Sequence, residues 1–527
     1  MKRWIAWILL LWGAAALFFV APNWDGGLAA HPDEIYVLDA ATQTAPWGDV
    51  CQTMPNFSYG ALPVNLLSLI VRAAPDTDPL YAVRLATGLW AVLFVAVSGA
   101  WGKALAGRRG GWLAAMLAAV APFTIQQAHF TTVDLPAAAF SAAAVLAMAQ
   151  RRPGRAGVMA GLALACKASL GWVVIPLAVG LMGRAFKSCR RAGVGRAVLG
   201  LGGAFILGAP WMMLDPVACF QGPWIQAQMV AGRLDYPYVQ QFAGTVPFLY
   251  PLVQMALWGV GPATVLAGLA ALGRAAWRFW EYPPAVKLGW VWTVVFFGMT
   301  AGVFVKFPRY LLPLYPLWVA WAARAWLGAS GRSVWRGWIG LLLTVPLGMA
   351  QLSIYTQPHS WIAASQWIYA NVPAGSQIVV EDWDHPLPVP LVEGSVDQYQ
   401  QVNAPVFDSE SPEKAARLAE LAQSADVIVL ASPRGYGAMA RQPERYESTL
   451  AWYREILQAP DRVAVVFDRC PRWGPVALSD DPLVEAGMPA VVSLAERCGA
   501  SYVLPWPLLD ESFRVYDAPL VILLVRR

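Results

Sequence analysis

The chain begins with KRWIAWILLLWGAAALFFVA over residues 2–21 and soon reaches His31-Pro32-Asp33-Glu34. Behind Lys2 and Arg3, the apolar run of about 18 residues is long enough to cross a hydrocarbon core roughly 30 Å thick. Two adjacent carboxylates then stand just beyond its far end. A signal peptide has similar flanks, and Ala14-Ala15-Ala16 would supply small residues for cleavage. The acidic segment that follows carries candidate chemistry, so the run is read as an uncleaved first span.

Composition extends that reading to the whole chain. Of 527 residues, 57% are hydrophobic and 13% charged, against about 25% charged in an ordinary soluble chain. So little polar surface cannot cover a body of this size in water, and most of the chain must face lipid. The 27 Trp, 41 Pro and 45 Gly suit a multispan helical protein with aromatic belts and many breaks. Disorder, nucleic-acid binding and a disulfide-stapled miniprotein are excluded.

Further apolar runs fall near 80–101, 111–126, 135–150, 197–214, 247–272, 288–305, 310–327 and 337–354. Lys2/Arg3, Lys103/Arg108/Arg109, Arg151/Arg152/Arg155, Arg184/Lys187/Arg190/Arg191/Arg196, Arg274/Arg278/Lys287 and Arg332/Arg336 fall on alternate connections, which the positive-inside rule makes cytoplasmic. The opposite connections carry Asp25, Asp33, Glu34, Asp39, Asp49, Asp76, Asp78, Asp134, Asp215 and Asp235 and face outward. Ala156–Gly183 has basic clusters at both ends and is too short to cross twice, since each crossing needs about 17 residues. It is read as two short helices forming a V, with Lys167 and Gly171 at the tip. The expected fold is a polytopic α-helical membrane domain over residues 1–355, with about nine full spans plus the V. The N-terminus is cytoplasmic. From about Gln357 the apolar runs shorten and alternate with helical stretches, which predicts an extracytoplasmic α/β domain over residues 356–527.

Cys51 and Cys219 lie on outer loops and Cys470 and Cys498 in the outer domain, where disulfides persist. A Cys470–Cys498 bridge fits better than Cys51–Cys219, and small buried thiols fit as well. Cys166 and Cys189 face the membrane or the cytoplasm.

Candidate site residues concentrate on the outer side. Low dielectric beside the membrane can raise Asp33 or Glu34 toward the range of a general base, and a nearby cation can hold it ionised. An acidic helix cap is the ordinary alternative. The second outer loop, His129-Phe130-Thr131-Thr132-Val133-Asp134-Leu135-Pro136, brings a third carboxylate and a second histidine, though Asp134 also suits a helix start. His31 and His129 permit a divalent metal without requiring one. Lys306-Phe307-Pro308-Arg309-Tyr310 puts two cations at an outer span end, where they call for an anionic partner. A phosphate suits the fork of Arg309 and the point charge of Lys306; snorkelling to headgroups is the alternative. In the loop from Asp215 to Thr245, Tyr236, Tyr238 and Gln240 suit sugar recognition or an interfacial helix. Tyr59 and Tyr310 complete the substrate-binding candidates with His31 and His129.

The segments HPDE (31–34), YGALP (59–63), HFTTVD (129–134), GLALACKASLGWVVIPL (161–177) and KFPRYLLPLYP (306–316) together resemble the GT-C superfamily of polyprenyl-phosphate-dependent glycosyltransferases. The bacterial members akin to protein O-mannosyltransferases and the lipid A aminoarabinose transferase are the nearest in pattern. The resemblance covers the membrane half, while DYPYVQQFAGTVPFLYPL (235–252) and DESFRVYDAPLVILL (510–524) resemble stretches of uncharacterised bacterial members. It implies an inverting glycosyltransferase of the cell membrane, acting in cell-envelope glycosylation. A sugar would move from a polyprenyl-phosphate donor to an acceptor hydroxyl on a glycan, lipid or protein, with no nucleic acid involved. Asp33 would be the catalytic base with Glu34 in reserve, Asp134 would arrange acceptor or phosphate, and Arg309, helped by Lys306, would hold the donor phosphate. A polytopic transporter or lipid-linked sugar flippase is the competing reading. It would require ionisable residues near mid-membrane, where Lys167 is the main candidate.

Overall fold

Proline and glycine set where the helices of the first half begin and end. The computed structural model describes residues 2–183, 190–328, 333–392, 394–507 and 510–527; Arg184, Lys187, Cys189 and Arg332 lie outside the described residues. The helices are α1 (Lys2–Phe18), α2 (Pro32–Gln43), α3 (Val50–Thr53), α4 (Ala61–Ala73), α5 (Pro79–Ala119), α6 (Pro122–His129), α7 (Asp134–Ala149), α8 (Pro153–Cys166), α9 (Val174–Met182), α10 (Arg190–Gly208), α11 (Trp211–Leu214), α12 (Pro216–Val230), α13 (Leu249–Gln254), α14 (Pro262–Trp277), α15 (Pro284–Ala301), α16 (Tyr315–Leu327) and α17 (Val334–Ile354). Proline opens α2, α5, α6, α8, α12, α14 and α15, where its missing N–H costs nothing. By length and composition, α5, α15 and α17 can each cross a membrane; the other apolar helices are shorter.

Two of the predicted apolar runs are broken. Ala106 and Gly107 leave helical geometry inside α5, Gly107 with φ 71°, so its two arms fold back on each other. A Cβ on Gly102 would stand 2.3 Å from the Gly110 carbonyl oxygen, a closeness only glycine permits. The run near 111–126 is therefore the second arm of α5 followed, after Pro122, by α6. The run near 247–272 is split by a π-helical turn at Met255–Gly259 and by Gly261, at φ 88°, ahead of Pro262.

Between α8 and α9 the helix breaks at Lys167, where the sequence places the tip of the V. Cys166 ends α8, Lys167 is extended (φ −157°, ψ 115°), and a 3-10 turn, Ala168–Val173, leads into α9. Glycines let α8 lie directly on α10: a Cβ on Gly157 would meet the Ala197 oxygen at 2.0 Å, and one on Gly161 the Leu201 oxygen at 2.3 Å. Small residues at such spacing are how helices pack where lipid removes any hydrophobic drive between them.

The chain divides into two compact units: Met1–Pro22, His31–Ala231 and Pro247–Leu352 form one, and Asn23–Ala30, Gly232–Val246 and Ser353–Arg527 the other. Two outer stretches that the sequence assigns to the membrane half thus cluster with the C-terminal residues.

The C-terminal unit is α/β. Its larger sheet has the order β2-β1-β3-β8-β4, from β1 (Gln377–Glu381), β2 (Gln400–Ala404), β3 (Val427–Leu430), β4 (Arg462–Phe467) and β8 (Val521–Arg526). Strands β2, β1 and β3 run parallel, and β8 pairs antiparallel with both β3 and β4. Helices α18 (Ser360–Asn371), α19 (Pro412–Ser424), α20 (Arg434–Met439) and α21 (Glu447–Gln458) accompany it. Leu418, Leu421, Leu450, Tyr453 and Ile456 bury their side chains in one core with Val379, Ile428 and Ile522. A smaller sheet, β5-β6-β7, comprises β5 (Arg472–Trp473), β6 (Val476–Ser479) and β7 (Tyr502–Pro505).

Both disulfides considered from sequence are present, Cys51–Cys219 and Cys470–Cys498. Cys166 is a buried free thiol.

Candidate active site

The site is built at the first turn of α2. The His31 side chain caps the helix, its Nδ1 accepting from the Asp33 N–H at 3.1 Å, and Pro32 supplies the first helical position. The cap is thus the histidine, which leaves both acids free for other partners while the positive helix end favours their charge. Successive helical residues point about 100° apart, so Asp33 and Glu34 leave the helix in different directions.

Glu34 turns inward. Arg84 of α5 grips it through two bonds, Nε to Oε1 at 2.8 Å and Nη2 to Oε2 at 2.6 Å, with both side chains almost wholly buried. Oε1 also accepts from the Thr131 backbone N–H at 3.0 Å, and Arg84 donates to the Pro22 carbonyl at 3.0 Å. One carboxylate thereby ties the first outer loop to the second and to the end of the first apolar run. His31 packs on Phe130 with ring centroids 4.7 Å apart, which joins the same two loops.

Asp33 turns the other way and pairs with Arg309. Arg309 lies in the 3-10 turn Pro308–Leu314 that leads into α16, and the two side chains keep 19% and 21% of their surface exposed. The neighbouring residue links this pair to another. Lys167, at the break after α8, holds the Asp134 carboxylate at 2.6 Å with its ammonium 5.1 Å from the Tyr310 ring centroid. The Arg309 guanidinium lies 6.0 Å from the same ring, and Asp134 acts on Tyr310 electrostatically. Asp33, Arg309, Tyr310, Lys167 and Asp134 therefore form one row in which two cations flank an aromatic ring and an acid stands at each end. Gly60 of YGALP secures the row from below: its N–H donates to the Cys166 carbonyl at 3.0 Å, next to Lys167.

The structure brings Asp33, Glu34, Asp134, Arg309 and Tyr310 together. The other candidates have local partners of their own. Lys306 donates to the Phe304 carbonyl at 2.8 Å. Tyr59 stands in an aromatic group with Tyr36 and Phe57. Tyr236, Tyr238 and Gln240 belong to the C-terminal unit. There the two tyrosines stack at 5.5 Å, and buried Gln240 donates to Asp235 and accepts from Gln442. The sequence reading missed the pairing roles of Arg84 and Lys167. Their signal was available, since a cation inside an apolar run calls for a buried anion. It was also Lys167 that the transporter reading depended on.

His129 does not fit a metal, and His31 has one ring nitrogen already engaged. His31 Nδ1 is engaged in the helix cap, and His129 places Nδ1 2.7 Å from the Ile125 carbonyl oxygen and Nε2 2.9 Å from that of Val20. Among the described residues, the ligand-type groups close enough to share an ion are Asp49-Cys51-Cys219 and Asp468-Cys470-Cys498. Both cysteine pairs are disulfides, whose sulfurs lack the thiolate a metal needs.

No family model matches the chain, and no curated protein matches it. Among solved structures it is similar to ArnT from Cupriavidus metallidurans bound to undecaprenyl phosphate, with TM-score 0.47 and 17% identity over 70% of this chain and 72% of that one. It is also similar to the archaeal oligosaccharyltransferase AglB from Archaeoglobus fulgidus in complex with an inhibitory peptide and a dolichol-phosphate, with TM-score 0.49 and 15% identity over 88% and 73%. At such scores the likeness is loose, and the chemistry has to be read from this chain's own residues.

Proposed function

We propose that the protein is a membrane glycosyltransferase of the inverting type. It moves a sugar from a polyprenyl-phosphate carrier to an acceptor hydroxyl on the outer face of the cell membrane. The observation that carries this reading is the row Asp33–Arg309–Tyr310–Lys167–Asp134, with its Asp33–Arg309 end partly exposed.

Arg309 has two competing partners, the Asp33 carboxylate and an incoming phosphate. The donor phosphodiester offers its two unesterified oxygens to the guanidinium fork and draws it from Asp33. The freed carboxylate takes the proton of the acceptor hydroxyl as its oxygen attacks the anomeric carbon from the face opposite the phosphate. The bond from the anomeric carbon to the phosphate oxygen breaks, and polyprenyl phosphate leaves with the electron pair. Arg309 stabilises the negative charge that develops there. Asp134, neutralised by Lys167, holds the far wall and orients the acceptor. Glu34 stays with Arg84 and keeps the two loops in register.

The test supplies polyprenyl-phosphate-linked sugars to the purified protein and to its Asp33→Asn and Arg309→Ala variants, with transfer followed by mass spectrometry of lipid and acceptor. Transfer by the parent and its loss in both variants is expected. Full turnover in both variants, or flux of lipid-linked sugar across proteoliposomes without transfer, overturns the assignment.

A further inference from the structure

The C-terminal unit contains a cavity of about 400 Å³ beside α20 and the tail segment at Asp510 to Arg514. Two charged side chains in its wall are satisfied on one side only. Glu511 is nine-tenths buried and gives Oε1 to the Nε of Arg434 at 3.2 Å, while its buried Oε2 has no hydrogen-bond partner among the described residues. Arg514, 5% exposed, uses Nη2 on Asp468 and donates from Nε to the Ala518 carbonyl at 2.7 Å. Its buried Nη1 has no hydrogen-bond partner among the described residues. Such groups are costly to leave unpaired, the more so when charged.

The pair selects the chemistry of what fills the space. A free anion would meet Asp480, Glu485, Asp510 and Glu511, and a free cation would meet Arg514 and, at the rim, Arg441. Hydroxyl groups serve both walls, because each donates one hydrogen bond and accepts others. The volume lies within the range of small-molecule sites, roughly 300–1,000 Å³, and admits a sugar ring. We propose that this cavity binds a neutral carbohydrate, one hydroxyl donating to Glu511 Oε2 and another accepting from Arg514 Nη1. This site is independent of the transfer reaction assigned to the membrane half.

Gly437 provides a clean way to close it. This glycine lines the cavity, and a Cβ added there would meet only the Pro433 Cβ, at 4.0 Å, so Gly437→Leu fills the space without crowding the core. Full-length protein in detergent would be examined by saturation-transfer NMR and calorimetry with glucose, mannose, galactose, arabinose and maltose. Sodium phosphate and methylammonium chloride serve as charged probes. At least one neutral sugar is expected to bind, to lose its signal in Gly437→Leu at unchanged melting temperature, and to bind about tenfold or more weakly in Glu511→Gln. Absence of binding by every sugar, binding indifferent to Gly437→Leu, or tighter binding of either charged probe at this cavity overturns the proposal.

Discussion

Asp33 and Glu34 are chain neighbours in one helical turn, yet they end in opposite environments. Glu34 is sealed at 0% exposure against Arg84 at 2% and carries three hydrogen bonds. Asp33 keeps about a fifth of its surface open, as does its partner Arg309. A carboxylate fully occupied in a dry site can neither accept a substrate proton nor exchange partners cheaply. One with a single, half-wet partner can do both. Adjacent acids thus differ in role: one holds the frame and the other is left open to exchange partners.

That division can be broken experimentally. The largest effect is expected at the open acid: Asp33→Asn should slow glycosyl transfer about 10²- to 10⁴-fold, the usual contribution of a general base, while the melting temperature in detergent stays put. A variant that melts early but still turns over would reverse the two roles. Next comes the sealed pair. Arg84→Met strands the Glu34 charge and should cost about 3–5 kcal/mol of stability, read by thermal unfolding, and adding Glu34→Gln should recover part of it. If the single variant is as stable as the parent, burial is not what separates the acids. A smaller, purely functional effect is expected for Arg309→Lys. It keeps the charge but loses the planar fork, so the donor KM should rise about tenfold with a lesser change in kcat. A fall in kcat alone would show that the fork is not used in donor binding.

The mildest test asks whether burial acts the same way elsewhere. His359 starts α18, its Nδ1 accepting from the Trp361 N–H at 3.2 Å and its Nε2 donating to the Tyr516 carbonyl at 2.9 Å. Burial, with Arg469 adding to it, lowers its pKa to about 3. The folded value lies below the unfolded one of about 6.5. The neutral ring therefore stabilises the fold above pH 6.5, and that stability drains away as pH falls toward about 3. Between about pH 7 and pH 5 the loss should approach about 2 kcal/mol. His359→Asn, which keeps an oxygen for the cap, should flatten that slope in melts of the full-length protein. An unchanged slope would assign the acid sensitivity to other groups.

Much of the membrane half was legible because lipid imposes strong rules. The helix within 2–21 and the break at Lys167 follow from length and charge, and the acids of the HPDE and HFTTVD segments and Arg309 follow from motif order. Partner choice was less legible. Glu34 finds Arg84 fifty residues on, and Asp134 finds Lys167 across the whole of α7 and α8; such pairs depend on how helices are brought together in space. The loop at Tyr236 to Gln240 is ambiguous in sequence for another reason. Amides and tyrosines suit sugars and protein surfaces equally, and here Gln240 binds Gln442 of its own unit. The cavity at Glu511 and Arg514 had no local signature, since its walls come from four separate stretches of chain.

Gly60 has a mechanical consequence. A methyl group at that position would stand 2.0 Å from the Ala165 oxygen, so the first loop and the elbow that bears Lys167 are in backbone contact with no cushion of side chains between them. They must travel as a single jaw, and any widening of the row between them and Arg309 has to come from the side that carries Arg309.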